Sequence, residues 1–94
     1  EEHLADVAEG SKDDVDRAVA AARNAYEGHW GALSGRERGK YMFRIARQIQ
    51  ERARQFAVLE TIDGGKPIRE SRDVDIPLSA AWFFYYAGWA DKLE

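Results

Sequence analysis

Apolar residues recur every three or four positions in several stretches of the chain, the spacing that gives an α-helix one apolar face. The first stretch follows Ser11, a residue type that caps helix N-termini, and Asp13 and Asp14 fall in the first turn, where the helix dipole favours acidic side chains. Gly28 is well suited to end it. We therefore predict a helix over 12–27 whose apolar stripe is mostly small: Val15, Ala18, Val19, Ala22 and Tyr26.

A second helix begins with a stronger signal. Ser34 and Glu37 have the spacing of a capping box, in which each side chain bonds the other residue's backbone amide. We predict a helix over 35–53 that kinks or continues through the apolar residues of 56–62. Its apolar face comprises Tyr41, Met42, Ile45, Ala46, Ile49 and Ala53.

Glycine and proline in the segment 63–67 predict a break, with glycine as a left-handed C-cap. A polar segment, 69–73, follows. Pro77 is suited to the first turn of a helix, so we predict the last helix over 77–92. Residues 3–8 could form a short strand. The predicted fold class is mostly α, with about four helices and this short N-terminal strand.

The last predicted helix contains an unusual concentration of aromatic residues. Successive helical positions are rotated by about 100°, so a run of consecutive aromatics points in every direction and leaves no polar face. Each of the other helices has a single apolar stripe, and these stripes are largely used to pack the helices against one another. We expect these side chains to be covered by the rest of a longer parent chain or by self-association: Trp82, Phe83, Phe84, Tyr85, Tyr86 and Trp89.

Composition narrows the classes of function. The 94 residues carry a net charge of -3, which gives no electrostatic reason to expect nucleic acid as a partner. The absence of cysteine excludes disulfides and thiolate nucleophiles within this sequence. No apolar run approaches the roughly 18 residues of a membrane span. No targeting signal is recognisable, which predicts a cytoplasmic protein with no membrane partner.

Few residues suggest catalysis. Gly64, Gly65 and Lys66 lack the spacing of a phosphate-binding loop. His3 and His29 stand outside any metal-ligand pattern. For the carboxylates of 60–75, solvation or helix capping is the better interpretation than acid–base chemistry.

Several motifs, in order, resemble the aldehyde dehydrogenase superfamily. They are Leu-Glu-Thr-Ile-Asp-Gly-Gly-Lys-Pro over 59–67, Asp-Ile-Pro over 75–77 and Tyr-Tyr-Ala-Gly-Trp-Ala-Asp-Lys over 85–92. The upstream part also resembles the family at 7–11, 14–19, Trp30 and 33–38. The similarity extends over nearly the whole chain without a gap.

The resemblance implies that residues 1–94 are one helical segment, the N-terminal part of a coenzyme-binding domain in an α/β enzyme. The implied parent is an NAD- or NADP-dependent enzyme that oxidises an aldehyde to a carboxylic acid through a cysteine thiohemiacetal. It is usually a homodimer or homotetramer. The catalytic and oligomerisation regions lie outside these residues, so no catalytic or cofactor-binding residue is assigned here, and the segment alone is expected to bind no cofactor and to be inactive.

Three residues carry a secondary role by resemblance. Val74 and Leu78 correspond to positions that help line the aldehyde entry tunnel, although core packing would equally explain two apolar residues there. Asp63 corresponds to a residue whose backbone carbonyl binds a monovalent cation in some members. An alternative interpretation of the side chain of Asp63 is that it closes its helix and bonds Lys66 or nearby amides.

Two functions of another class stay open at this point. The chain would be an autonomous interaction module if the aromatic helix 77–92 docked on a partner protein. It would lie at a membrane interface if the same helix had a basic polar face, but Lys92 is its only cation.

Overall fold

The computed structural model describes residues 2–93, which form two compact units: one extends to Ala32 and the other begins at Leu33. The described elements are helices: α1 Lys12–Glu27, α2 His29–Ala32, α3 Gly35–Glu51, α4 Ala53–Gly64, α5 Ile68–Glu70, a π-helical turn Ser71–Asp75, and α6 Ile76–Ala87. The prediction of a mostly helical chain is confirmed.

In the first unit, α1 begins where the cap residues predicted it. The Ser11 amide donates to Asp14 Oδ2 at 2.9 Å, and the Asp14 amide donates back to Ser11 Oγ at 3.2 Å, so both ends of a capping box are present. The short strand expected over 3–8 was wrong, because these residues have no regular secondary structure. A strand needs a neighbouring strand for its backbone hydrogen bonds, and residues 2–93 contain none.

In the second unit, α3 and α4 are separate helices. The backbone leaves helical geometry at Arg52, with φ -107° and ψ 16°, and helical hydrogen bonding resumes at Ala53. The kink that the sequence allowed near 53 is therefore real. Gly65 then adopts φ 70°, and its amide donates to the Thr61 carbonyl at 3.0 Å, which confirms the left-handed C-cap.

The last helix, α6, begins at Ile76 with Pro77 in its first turn, which confirms the predicted start to within one residue. What the sequence did not predict is that helical structure already runs from Ile68 to Asp75 ahead of it. The Pro67 carbonyl accepts the first bonds, from Glu70 at 3.0 Å and Ser71 at 3.2 Å, so Ile68 is the first helical residue. The chain then passes through the π turn, in which the Ile76 amide bonds the Ser71 carbonyl five residues back. Pro77 lies just after this turn, where its missing N–H leaves the Asp73 carbonyl without its usual helical donor.

The packing of α3 on α6 forms the largest contact in the second unit. Small residues let the two backbones approach: a Cβ built on Gly39 would stand 2.9 Å from the Ala87 carbonyl oxygen, and Ala46 and Ala87 are buried. Phe43 packs on Phe84 with ring centroids 5.6 Å apart. The buried apolar residues of the described chain are all alanines: Ala46, Ala57, Ala80 and Ala87.

Candidate functional site

The two tunnel candidates lie close together on the last helical segment. Val74 belongs to the π turn and Leu78 to the first turn of α6, and each exposes about half of its surface. Neither is a core residue of the second unit. They are therefore available to form the wall of a channel.

The cation candidate, Asp63, is the penultimate residue of α4 and is exposed. The carbonyls at a helix C-terminus lack intrahelical donors, so the Asp63 carbonyl suits a cation ligand. Within residues 2–93, no three His, Cys, Asp or Glu side chains gather closely enough to hold a metal ion. Asp63 also does not bond Lys66 in the way that the alternative interpretation expected, because Lys66 pairs elsewhere.

The partner of Lys66 is Asp75, nine residues further along. Lys66 Nζ lies 2.5 Å from Asp75 Oδ2, and the two side chains expose 38% and 31% of their surface. The hydrogen bond to Asp75 raises the pKa of Lys66 above its ordinary value, with further support from the negative charges of Glu60 and Glu70. This pair connects the loop after α4 to the last residue of the π turn.

A second link joins the same two parts of the chain. Thr61 Oγ1 donates to Ser71 Oγ at 3.0 Å, and Ser71, the first residue of the π turn, is fully buried. Thus both ends of the π turn are bonded to α4 or to the loop that follows it. Neither link was predicted from the sequence. Their separations, nine and ten residues, follow no helical period, and the only signal was that most of these residues fall within the family motifs.

The π turn also has a purely local ion pair. Arg72 Nε donates to Asp73 Oδ1 at 2.6 Å and Arg72 Nη2 to Asp73 Oδ2 at 2.8 Å. These hydrogen bonds lower the pKa of Asp73. Because the two residues are adjacent in sequence, the pair does not tie the π turn to another element.

The aromatic residues form a connected and exposed cluster. Trp82, Tyr85, Tyr86 and Trp89 each expose about half of their surface. The Trp82 and Tyr86 rings stack at 5.9 Å, and Tyr85 makes edge contacts with both of them. Trp89 lies beyond the helix: α6 ends at Ala87, and turns continue to Lys92, so the predicted helix end at 92 was wrong. Gly88 starts these turns. No helix in the part of the chain that the structure describes is both long and apolar enough to cross a bilayer.

With this geometry in place, comparison with known proteins identifies the family. The sequence model of the Aldehyde dehydrogenase family matches residues 1–94. The chain belongs to the aldehyde dehydrogenase family. The recognition made from the motifs is therefore confirmed.

Individual relatives agree. The chain is 46% identical to aldehyde dehydrogenase family 2 member B4, mitochondrial, of Arabidopsis thaliana, covering 99% of this chain and 18% of that protein. It is also 46% identical to benzaldehyde dehydrogenase, mitochondrial, of Antirrhinum majus, with the same two coverages. Betaine aldehyde dehydrogenase of Bacillus subtilis is 45% identical over 98% of this chain and 19% of its own length.

A solved structure shows the same fold. The crystal structure of PnpE in complex with nicotinamide adenine dinucleotide matches with a TM-score of 0.83 and 46% identity, covering 87% of this chain and 17% of that one. The helices described above therefore have the same fold as the matching part of PnpE. The chain spans about a fifth of the length of the relatives it matches.

Proposed function

We propose that the protein containing this chain oxidises an aldehyde to a carboxylic acid and reduces NAD or NADP. The observation that carries the proposal is the match along all 94 residues, with 46% identity to a protein whose structure holds nicotinamide adenine dinucleotide. The coenzyme would accept the hydride when bound. No residue of this chain is assigned to hold it.

The proposed chemistry lies outside these residues. A cysteine thiolate adds to the aldehyde carbon, the resulting thiohemiacetal loses a hydride to become a thioester, and water activated by a glutamate releases the acid. The chain contains no cysteine, so it does not supply the nucleophile. Its place in the proposed enzyme is structural: a helical part of the coenzyme-binding domain.

Three residues of the chain have proposed roles closer to the reaction, two in the substrate channel and one in a cation site. We propose that Val74 and Leu78 form part of the wall along which the aldehyde enters, since both are apolar and half exposed. An apolar wall favours the uncharged end of a substrate. The Asp63 carbonyl is proposed as one ligand of a monovalent cation whose other ligands lie outside this chain.

The aromatic cluster has a proposed partner of its own. Either the remainder of the parent chain or self-association is proposed to cover the aromatic residues of this segment: Trp82, Phe83, Phe84, Tyr85, Tyr86 and Trp89. Each aromatic side chain buries about 150–250 Å² when enclosed, which makes such cover strongly favourable. The oligomeric state, a homodimer or homotetramer, stays a prediction. The cytoplasmic location also stays a prediction, and two of the relatives carry the word mitochondrial in their names.

Two measurements test the proposed activity. The purified product of the gene that encodes this sequence should form NADH or NADPH when an aldehyde is added. The 94-residue chain, produced by itself, should form neither under the same conditions. Absence of aldehyde-dependent coenzyme reduction by the gene product would contradict the proposed reaction. Turnover by the isolated chain would contradict the proposal that the catalytic residues lie outside it.

A further inference from the structure

The π turn Ser71–Asp75 is unusual enough to need support from its surroundings. Wider helical turns of this kind are rare and appear mostly as single turns within α-helices. This one is followed by Pro77, which cannot donate to the Asp73 carbonyl. The Asp73 carbonyl therefore lacks the donor that it would have in a regular α-helix, and contacts from other elements add stability at this point.

Two such contacts are present, one at each end of the turn. The buried Ser71 hydroxyl accepts a hydrogen bond from Thr61 in α4 at 3.0 Å, and Asp75 accepts one from Lys66 at 2.5 Å. Ser71 is fully buried and Asp75 is about two-thirds buried. Neither contact is therefore fully exposed to solvent, where polar contacts contribute little to the free energy of folding. Between these two attachment points lies Val74.

We infer that Lys66 and Asp75, assisted by the Thr61–Ser71 hydrogen bond, are positioning residues that fix the π turn against α4 and thereby set the place of Val74 and Leu78 in the aldehyde channel. The inference rests on the proposed function for the channel itself. None of the positioning residues touches the reacting atoms. Their effect is on the wall, so it should depend on how far a substrate reaches along that wall.

The experiment uses the complete enzyme and compares matched variants of two ion pairs on the same turn. Lys66→Met removes the pair that reaches the loop after α4. Arg72→Gln removes the pair within the turn and leaves the connection to α4 intact. Lys66→Arg retains a positive charge and a donor at position 66. Asp75→Asn weakens the same contact from the other side, should Lys66→Met fail to fold.

The first readout is amide hydrogen exchange over residues 72–76. Loss of a half-buried ion pair should make exchange about two- to fivefold faster in Lys66→Met and in Asp75→Asn. Exchange in Arg72→Gln and in Lys66→Arg should stay near that of the unchanged enzyme. Equal exchange in Lys66→Met and Arg72→Gln would overturn the inference, because the connection to α4 would then have no special effect.

The second readout is the ratio of kcat/KM for a bulky aldehyde to kcat/KM for a small one. This ratio should fall by about two- to fivefold in Lys66→Met, with kcat for the small aldehyde unchanged, since a displaced wall affects only the substrate that contacts it. Leu78→Trp serves as the reference, because a larger side chain in the channel should raise KM for the bulky aldehyde.

The outcomes separate the inference from the proposed function. If Leu78→Trp changes the ratio and Lys66→Met does not, the positioning role is wrong while the channel stands. If neither variant changes the ratio in an enzyme that still oxidises aldehydes, both the channel and the positioning role are wrong but the reaction stands. An enzyme without aldehyde oxidation contradicts the proposed reaction instead.

Discussion

One carboxylate at the start of α1 accepts three hydrogen bonds. Asp14 receives the Ser11 amide at 2.9 Å and the Ser11 hydroxyl at 2.8 Å, and Arg17 donates to its other oxygen. These contacts, of which the Ser11 amide is the strongest, lower the pKa of Asp14 below its ordinary value of 3.8. The ionised form of this side chain is therefore part of the helix cap.

The direction of this pKa shift predicts how α1 responds to acid. A group whose pKa is lowered in the folded state stabilises it fully above its unfolded pKa and ceases to do so as pH falls through the folded pKa. We expect the first turn of α1 to fray below pH 3.8, seen as movement of the Ser11 amide signal in NMR spectra. Asp14→Ala should remove this transition and fray the turn at neutral pH.

Asp13→Ala is the matched control, since Asp13 shares the first turn and is also acidic. It should leave the acid transition in place. If the acid transition survived in Asp14→Ala and disappeared in Asp13→Ala, the carboxylate that caps the helix would be Asp13, and the assignment to Asp14 would be wrong.

Short-range contacts of this kind are also what sequence alone predicts well. The N-cap at Ser11 and the capping box of Ser34 with Glu37 were both predicted and are both confirmed. The structure adds that Asp14 completes a capping box with Ser11, three residues earlier. The link from Lys66 to Asp75 depends on how a loop folds back, which no local spacing specifies. Its two residues were visible within the motifs, but their pairing was not.

At the scale of elements, α3 and α6 approach closely because glycine occupies the contact. Gly39 is buried in α3, and a Cβ there would come within 2.9 Å of the Ala87 carbonyl oxygen, a backbone atom that cannot rotate aside. Gly35, one turn earlier, is held still closer to the Ala90 carbonyl. One turn further along α3, Phe43 packs on Phe84 of α6 with ring centroids 5.6 Å apart.

Gly39→Ala should therefore destabilise the protein although alanine favours helix formation. Overpacking a close contact costs about 1–3 kcal/mol, against a gain of about 1 kcal/mol in helix propensity. We expect a net loss of stability of about 1 kcal/mol, measured by denaturant unfolding of the enzyme. The same change at Gly64, where the nearest atom is the flexible end of Glu60 at 3.8 Å, should be neutral or stabilising.

A stability equal to or greater than that of the unchanged enzyme in Gly39→Ala would show that α3 and α6 can separate without cost. The paired comparison matters because both glycines are helical and neither has a positive φ. The difference between the two variants then reports the space around each Cβ.

The helices with one apolar stripe, α1 and α3, were predicted to within two residues, because helical periodicity and a capping serine mark each of them. The stripe of α1 is nevertheless not buried in the described chain. The start of α6 was predicted to within one residue, because Pro77 occupies its first turn. The helical residues before it were not predicted: 69–73 has no apolar stripe, yet it is helical and Ser71 is bonded to Thr61 of α4.

At the scale of the whole molecule, large apolar side chains are mostly exposed and the buried ones are small. Trp82, Tyr85, Tyr86 and Trp89 are about half exposed, whereas the buried apolar residues of the described chain are alanines. A core of this kind removes little apolar area from water, which limits the stability that the segment can have alone.

The isolated chain should consequently self-associate. We expect native mass spectrometry to show species heavier than the 10.7 kDa monomer at micromolar concentration. Replacing the stacked pair, Trp82→Ser together with Tyr86→Ser, should shift the population towards monomer. Leu4→Ser, which removes an exposed apolar side chain outside the cluster, should not.

A single monomeric species of 10.7 kDa that unfolds cooperatively would contradict the need for cover at the aromatic cluster. At this scale the sequence predicted that an aromatic run without a polar face needs cover from a longer chain or from self-association, and this stays a prediction. The structure adds that Trp82, Tyr85, Tyr86 and Trp89 are about half exposed. Periodicity reports only which side chains share a face, so it could not identify what would cover the run.

The π turn has a further consequence for anyone who draws a helical wheel of this region. A π turn contains about one residue more than an α turn between its bonded groups, since Ile76 bonds Ser71 rather than Arg72. A wheel plotted without interruption from Ile68 to Ala87 would therefore misplace every later residue by roughly 100°. The faces of Leu78, Trp82 and Tyr86 have to be counted from Ile76. A wheel that treats the whole stretch as one uniform α-helix assigns these three residues to the wrong face.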